Sequence, residues 1–338
     1  MNKRRMFCSI FCLILLLTLI FMISFLSADA ASVTLKLGNK EAENHHESLA
    51  LKKFAELVKE KTNGEINVDL YFNEVLGTPE TELENTIQGV QDIYVVGYYV
   101  LQKYIKDFGI TEAMYLFKSG DHFQKFLLSD LEAEMEKELL EKTGLRVISI
   151  DRNWWLGPYR VICAKKPILT LEDIKGLRFR APDSKVTIRT WEGLGANCTV
   201  IPWSEVYLAL SQGMVEAATG TIMDMSYQKF YEVTPHITRT DEKFQQASII
   251  MNNKKFQSLT KEQQQALYDA AKEAGEYCTK LLYEGLDEAL KDMESKGAIF
   301  HETDLAPWQA QARKVLLEIE AEGAWTKGLM DKVDALYP

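Results

Sequence analysis

Arg178 and Arg180 stand two residues apart in the run Gly176-Leu177-Arg178-Phe179-Arg180-Ala181-Pro182, and the chemistry open to such a pair is the holding of an anion. A planar guanidinium presents two parallel N–H donors that match both oxygens of a carboxylate. On an extended segment alternate side chains share a face, so Arg178 and Arg180 fall together and Leu177 and Phe179 lie opposite. In a cleft, each such charged hydrogen bond contributes about 1.5 to 3 kcal/mol. Arg160, in Gly157-Pro158-Tyr159-Arg160, offers a second guanidinium for the same carboxylate or for another acidic group. Trp154, Trp155 and Trp203, with Tyr98 and Tyr99, supply large ring surfaces suited to a ligand with a ring or a sizeable apolar part.

The residues that would make or break covalent bonds are not arranged for it. The five histidines, His45, His46, His122, His236 and His301, form neither a His-Glu-x-x-His motif nor an (i, i+4) pair. His45 and His46 are adjacent, so their side chains diverge, and no metal is expected. There is no Gly-x-Ser-x-Gly elbow and no phosphate loop. Gly193-Leu194-Gly195 lacks the third glycine of a dinucleotide fingerprint, so no cofactor is expected. Cys163, Cys198 and Cys278 are widely spaced and odd in number, which excludes a disulfide framework and a paired-cysteine zinc site.

The chain around these residues is 338 long, more than one core usually fills, so two domains are expected. Lys3, Arg4 and Arg5 precede an apolar stretch from Met6 to Leu26, and Ala28-Asp29-Ala30 gives a small-x-small cleavage pattern. Residues 1–30 therefore read as a signal peptide. An uncleaved anchor is the alternative, since the stretch approaches the roughly 20 residues of a membrane span. Either way the remainder is exported, to the periplasm or the outer face of the cytoplasmic membrane. Without the leader, 36 basic and 48 acidic residues remain, which argues against nucleic acid as a partner and for a soluble monomer.

From Val33 the pattern is strand, helix, strand, helix, strand. Val33, Leu35 and Leu37 alternate, a helix is predicted over Ser48 to Thr62, and Ile66, Val68, Leu70 and Phe72 alternate again. Thr78-Pro79 opens the next helix, Gly89 ends it, and Ile93 to Val96 is apolar. This opening predicts a mostly parallel, covered sheet. Leu145 to Ile150, Tyr159 to Ala164, Leu177 to Arg180 and Phe244 to Met251 read as further strands, and Ser204 as the cap of a helix through Leu210. Thr260-Lys261-Glu262-Gln263 is a capping box. After it Leu267, Ala271, Ala274, Cys278, Leu281, Gly285, Ala289 and Met293 recur at steps of three and four, a helix over about 261–295. No linker separates the halves, so the chain is expected to cross between them on strands.

The ordered set Lys-Gly-Leu-Arg-x-Arg-x-Pro, Leu-Gly-Ala and Ser-Glu-Val-Tyr-x-Ala-Leu between Lys175 and Leu210 resembles the solute-binding proteins of TRAP (tripartite ATP-independent periplasmic) transporters, the DctP-type family. The resemblance implies an α/β, two-lobed periplasmic-binding-protein-like fold with a long helix spanning both domains. The lobes would be 31–155 with part of 246–275, and 156–245 with part of 276–338. It implies that Arg180 pairs with the ligand carboxylate, that Arg160 assists, that Trp203 packs on the ligand body, and that the segment at Asn44 and His45 adds a polar contact. Where the family tends to have a ligand-contacting asparagine this chain has Gly220, so Thr219, Thr221 or Asp224 would take over. Tyr98 and Trp155 complete the candidate set. The implied function is capture of a small organic anion and delivery to membrane permease subunits. An exported enzyme using the same arginines to orient an organic acid is the competing class, but it needs a general base or nucleophile that does not stand out. A receptor feeding a sensor kinase is the third.

Overall fold

The computed structural model describes residues 32–337; the expected signal peptide lies outside them. Two sheets carry the chain. The first runs β2-β1-β3-β10-β4, with β1 at Val33–Gly38, β2 at Ile66–Tyr71, β3 at Ile93–Gly97, β4 at Leu145–Val147 and β10 at Ala247–Asn252. The second runs β11-β9-β5-β8-β6-β7, with β5 at Arg160–Ala164, β6 at Arg178–Ala181, β7 at Asn197–Val200, β8 at Ala217–Thr221, β9 at His236–Arg239 and β11 at Ile299–His301. The α/β fold is two-lobed, one sheet to a lobe.

The β2-β1-β3 and β7-β6-β8 triplets are parallel, as the alternating strand and helix order requires. The exceptions are β5 and β10, each antiparallel to both of its neighbours. These strands receive the chain as it passes from one lobe to the other. The two crossing segments lie side by side: Leu156 N donates to Gln245 O at 3.1 Å, Ala247 N donates to Trp154 O at 2.9 Å, and Trp155 bridges Gln246 antiparallel. The predicted strand at Leu145 to Ile150 is short because the chain leaves the sheet after Val147 to make this crossing.

Helix α1, His46–Lys61, starts two residues earlier than its apolar spacing suggests, because the His45 ring accepts from Glu47 N at 3.2 Å and serves as the cap. Helix α2, Pro79–Gln88, has Thr78 as its cap and ends on Gly89 at φ 75°. Ser204 caps nothing. A short 3-10 turn, Trp203–Glu205, leads into α4, Val206–Gln212, after α3 at Lys185–Gly193.

The long helix α6, Lys261–Ser295, follows α5 at Ile222–Tyr227 and has 35 residues, about 52 Å at 1.5 Å per residue. Its capping box forms, with Thr260 accepting from Gln263 N. Leu267, Ala270, Ala271, Ala274 and Cys278 pack into the first lobe's core with Leu35, Leu51 and Phe54. Leu282 and Met293 pack into the second lobe's core with Val161, Met223 and Phe230. The register differs from expectation at one turn, where Leu282 and not Leu281 is the buried leucine. Gly275 is where the first crossing presses on this helix: a Cβ there would sit 2.0 Å from Asn153 Oδ1 and 2.6 Å from Trp154 Nε1. The C-terminal segment returns to the first lobe and buries Trp325, Leu329, Met330 and Val333 beside Phe117 and Leu139, so only part of 276–338 goes with the second.

Candidate ligand-binding site

The parallel strands of both sheets point their carboxyl ends at the space between the lobes, where open α/β sheets bind ligands. A cavity of about 70 Å³ lies there. The first lobe contributes Lys40 after β1, Tyr98 and Tyr99 after β3, and Glu112. The second contributes Arg160 of β5, Arg180 of β6, Trp203, Thr219 of β8 and Asp224 of α5. The returning crossing adds Glu242, Lys243, Phe244 and Gln245.

Five of the seven predicted site residues, Arg180, Arg160, Trp203, Tyr98 and Thr219, line this one cavity. Two do not. Asn44 is exposed on the surface, because the chain after β1 turns Glu41 and His45 inward. Trp155 sits behind the wall, its ring 6.1 Å from Phe123 and 6.5 Å from Phe244, both of which line the cavity. Arg178 also falls outside. It is exposed at the start of β6, donates to Gly213 O at 3.2 Å and lies 3.5 Å from Glu216, so the two arginines of the motif do not act together.

The cations of the cavity differ in their partners. Arg160 donates from Nε to Glu242 at 2.7 Å and from Nη2 to Thr219 at 3.2 Å, while Nη1 reaches Gln245. Lys243 pairs with Glu112, which also accepts from Thr187 at 2.7 Å. Lys40 pairs with Glu41. Burial works against the charge of Lys40, yet Glu41 and Asp224 raise its pKa above the ordinary lysine value. Asp224 lies 3.5 Å from His45 across the lobes. Burial raises the carboxyl's pKa, but His45 and Lys40 outweigh it and hold it down to about 2. Burial opposes a charge on His45 too, and Glu41 with Asp224 again prevails, raising its pKa.

Arg180 alone has no acid. It is 6% exposed, and Nε and Nη2 both donate to Ile201 O at 2.9 and 2.8 Å. It forms no ion pair among the described residues, and its Cζ stands 5.2 Å from the centre of the Trp203 ring. Burial depresses its pKa to about 10. Trp203 has Lys40 Nζ near its ring as well, at 4.8 Å, so two cations approach the indole. Tyr99 completes this end, its hydroxyl pushed up to about 12 by burial.

Across the cleft the lobes are fastened by Trp203 Nε1 donating to Glu41 at 3.0 Å and by Ser204 N donating to Glu74 at 3.1 Å. The Ser204 hydroxyl donates to Glu74 as well, which is the role it takes in place of capping. The structure is thus the closed form.

The family model of bacterial extracellular solute-binding protein, family 7 (DctP), matches residues 37–322. This chain belongs to that family. The DctP-type TRAP solute-binding proteins are receptors and not enzymes. A solute-binding protein of Sulfitobacter sp. (strain NAS-14.1) is 30% identical over 258 residues, 76% of this chain and 77% of that one. The 2,3-diketo-L-gulonate-binding periplasmic protein YiaO of Escherichia coli (strain K12) is 28% identical, covering 81% of this chain and 82% of its own. Among solved structures, a TRAP periplasmic solute binding protein from Roseobacter denitrificans OCh 114 with bound L-galactonate superposes at a TM-score of 0.81. It shares 26% identity and covers 90% of this chain and 98% of its own. The family is extracytoplasmic, and no helix of the described residues is long and apolar enough to cross a membrane.

Sequence reasoning missed Lys40, Glu112, Glu242, Lys243 and Gln245. All lie outside regular strands, where periodicity carries no signal. The one available cue was the charged run Asp241-Glu242-Lys243, three residues ahead of the strand at Ala247.

Proposed function

We propose that this TRAP receptor captures a small sugar acid between its lobes, with Arg180 gripping the carboxylate, and presents the closed form to membrane permease subunits. The observation that carries this reading is Arg180: a buried guanidinium with no acid of its own is costly unless an anion completes it. Trp203 and Tyr99 give an apolar face beside it. Thr219, Asp224 and Gln245 offer hydroxyl partners farther along the cavity. The ligands named for two relatives, L-galactonate and 2,3-diketo-L-gulonate, have this combination of one carboxylate and several oxygen functions. Closure expels water from the ion pair and strengthens it. Export by the leader, and a monomer in solution, belong to the same proposal.

Titration calorimetry of the mature protein with hexonates and hexuronates tests it. Saturable binding with one site per chain, lost in Arg180→Ala, is the expected result. Binding that survives Arg180→Ala undiminished would remove Arg180 from the site.

A further inference from the structure

Resting on that reading, we infer that Glu242 makes the receptor selective for monoanions, by occupying Arg160 as an internal substitute for a second ligand carboxylate. The cavity holds two guanidinium groups, and by position either could meet a carboxylate. Only Arg180 is uncovered. Glu242 is 1% exposed and fully satisfied: Oε1 accepts from Arg160 Nε at 2.7 Å and from the Thr219 hydroxyl, and Oε2 accepts from the Thr240 hydroxyl at 2.6 Å. Arg160 is satisfied in turn, with Gln245 and Thr219 on its Nη atoms.

The pairing of the cavity's charged side chains points the same way. Lys40 pairs with Glu41, Lys243 with Glu112 and Arg160 with Glu242, and Asp224 faces His45 at 3.5 Å, which leaves Arg180 as the cavity cation without an acidic partner. One carboxylate closes the balance. A second would have to lie beside Glu242 or Glu112 in a dry crevice, where like charges repel without screening. Glu242 comes from the crossing segment, 82 residues from Arg160 in sequence, so the clamp motif alone gives no hint of it.

The test compares matched pairs that differ only at the terminal carbon: galactonate with galactarate, and gluconate with glucarate, titrated calorimetrically against the parent protein and Glu242→Gln. The parent is expected to bind its preferred monocarboxylate at least about tenfold more tightly than the paired dicarboxylate. Glu242→Gln, which keeps the shape and frees Arg160, should narrow or invert that ratio by about tenfold or more, the scale of one charged hydrogen bond. Should Glu242→Gln fail to fold, the charge-balanced double variant Arg160→Gln/Glu242→Gln serves instead: with the repelling carboxylate gone, its ratio of monocarboxylate to dicarboxylate affinity should narrow relative to the parent. A parent that binds dicarboxylates as well as monocarboxylates overturns the inference and leaves the sugar-acid reading standing. An unchanged ratio in folded Glu242→Gln, or in the double variant, overturns it too. A parent that binds none of the four and no hexuronate overturns both.

Discussion

Trp203 and Glu41 join the two lobes through one hydrogen bond, from the indole Nε1 to a buried carboxylate oxygen at 3.0 Å. The same ring packs beside Arg180, so the residue that joins the lobes also borders the group proposed to grip the anion. Trp203→Phe keeps the apolar face and removes the donor. Loss of one charge-assisted bond predicts an affinity lower by about tenfold, carried mainly by faster dissociation. Stopped-flow fluorescence decides this; a change confined to the association rate would show that the bond does not hold the closed form.

Arg180→Ala is expected to weaken carboxylate binding by about a hundredfold or more, the loss of two charged hydrogen bonds. The unliganded protein should melt no lower than the parent, because the substitution also removes an uncovered buried cation. A melting temperature that falls sharply without ligand would mean that Arg180 holds Ile201 for structural reasons.

Gly275→Ala should destabilise the protein, although alanine is the better helix former by about 1 kcal/mol. The added methyl meets Asn153 and Trp154 of the crossing segment well inside contact distance. Overpacking of this kind costs about 1 to 3 kcal/mol. Urea denaturation of the unliganded variant gives the sign directly, and a rise in midpoint would contradict the packing described.

His46 gives a pH dependence. Burial, with His45 beside it, holds its pKa down to about 3, while the unfolded chain titrates near 6.5. Between these values the unfolded state binds the extra proton, so this group's contribution to stability is complete above pH 6.5 and is lost as pH falls toward 3. His46→Gln should therefore lose less stability than the parent between pH 7 and pH 4, by up to about 1.4 kcal/mol for each pH unit in that window. Parallel denaturation curves at the two pH values check it; equal losses would place the His46 proton elsewhere.

The strands and helices near the cleft were legible because their apolar residues alternate or recur at helical steps, as in Leu35 and Leu37 or Leu267, Ala271 and Ala274. The spanning helix could be read from length alone. Arg180 was legible because its motif is local. Arg160's partner was not, since Glu242 is 82 residues away and lies outside any strand. Arg178 and Arg180 do share strand parity, but parity says nothing about where along a strand the cleft begins, and Arg178 falls short of it. Ser204 had the sequence of a cap and the position of a latch, a choice made by Glu74 from the other lobe. Asn44 was one residue from His45, and only the turn after β1 decided which of them faced inward.

The 35-residue helix α6 belongs to two cores at once, with Ala271 in one and Leu282 in the other. Neither half of the molecule is then a separable folding unit: a fragment lacking the helix bares an apolar seam, and one keeping it carries an unclothed stripe half its length. Heat should take both lobes together in a single cooperative step, and the hinge can bend only as far as that shared rod permits.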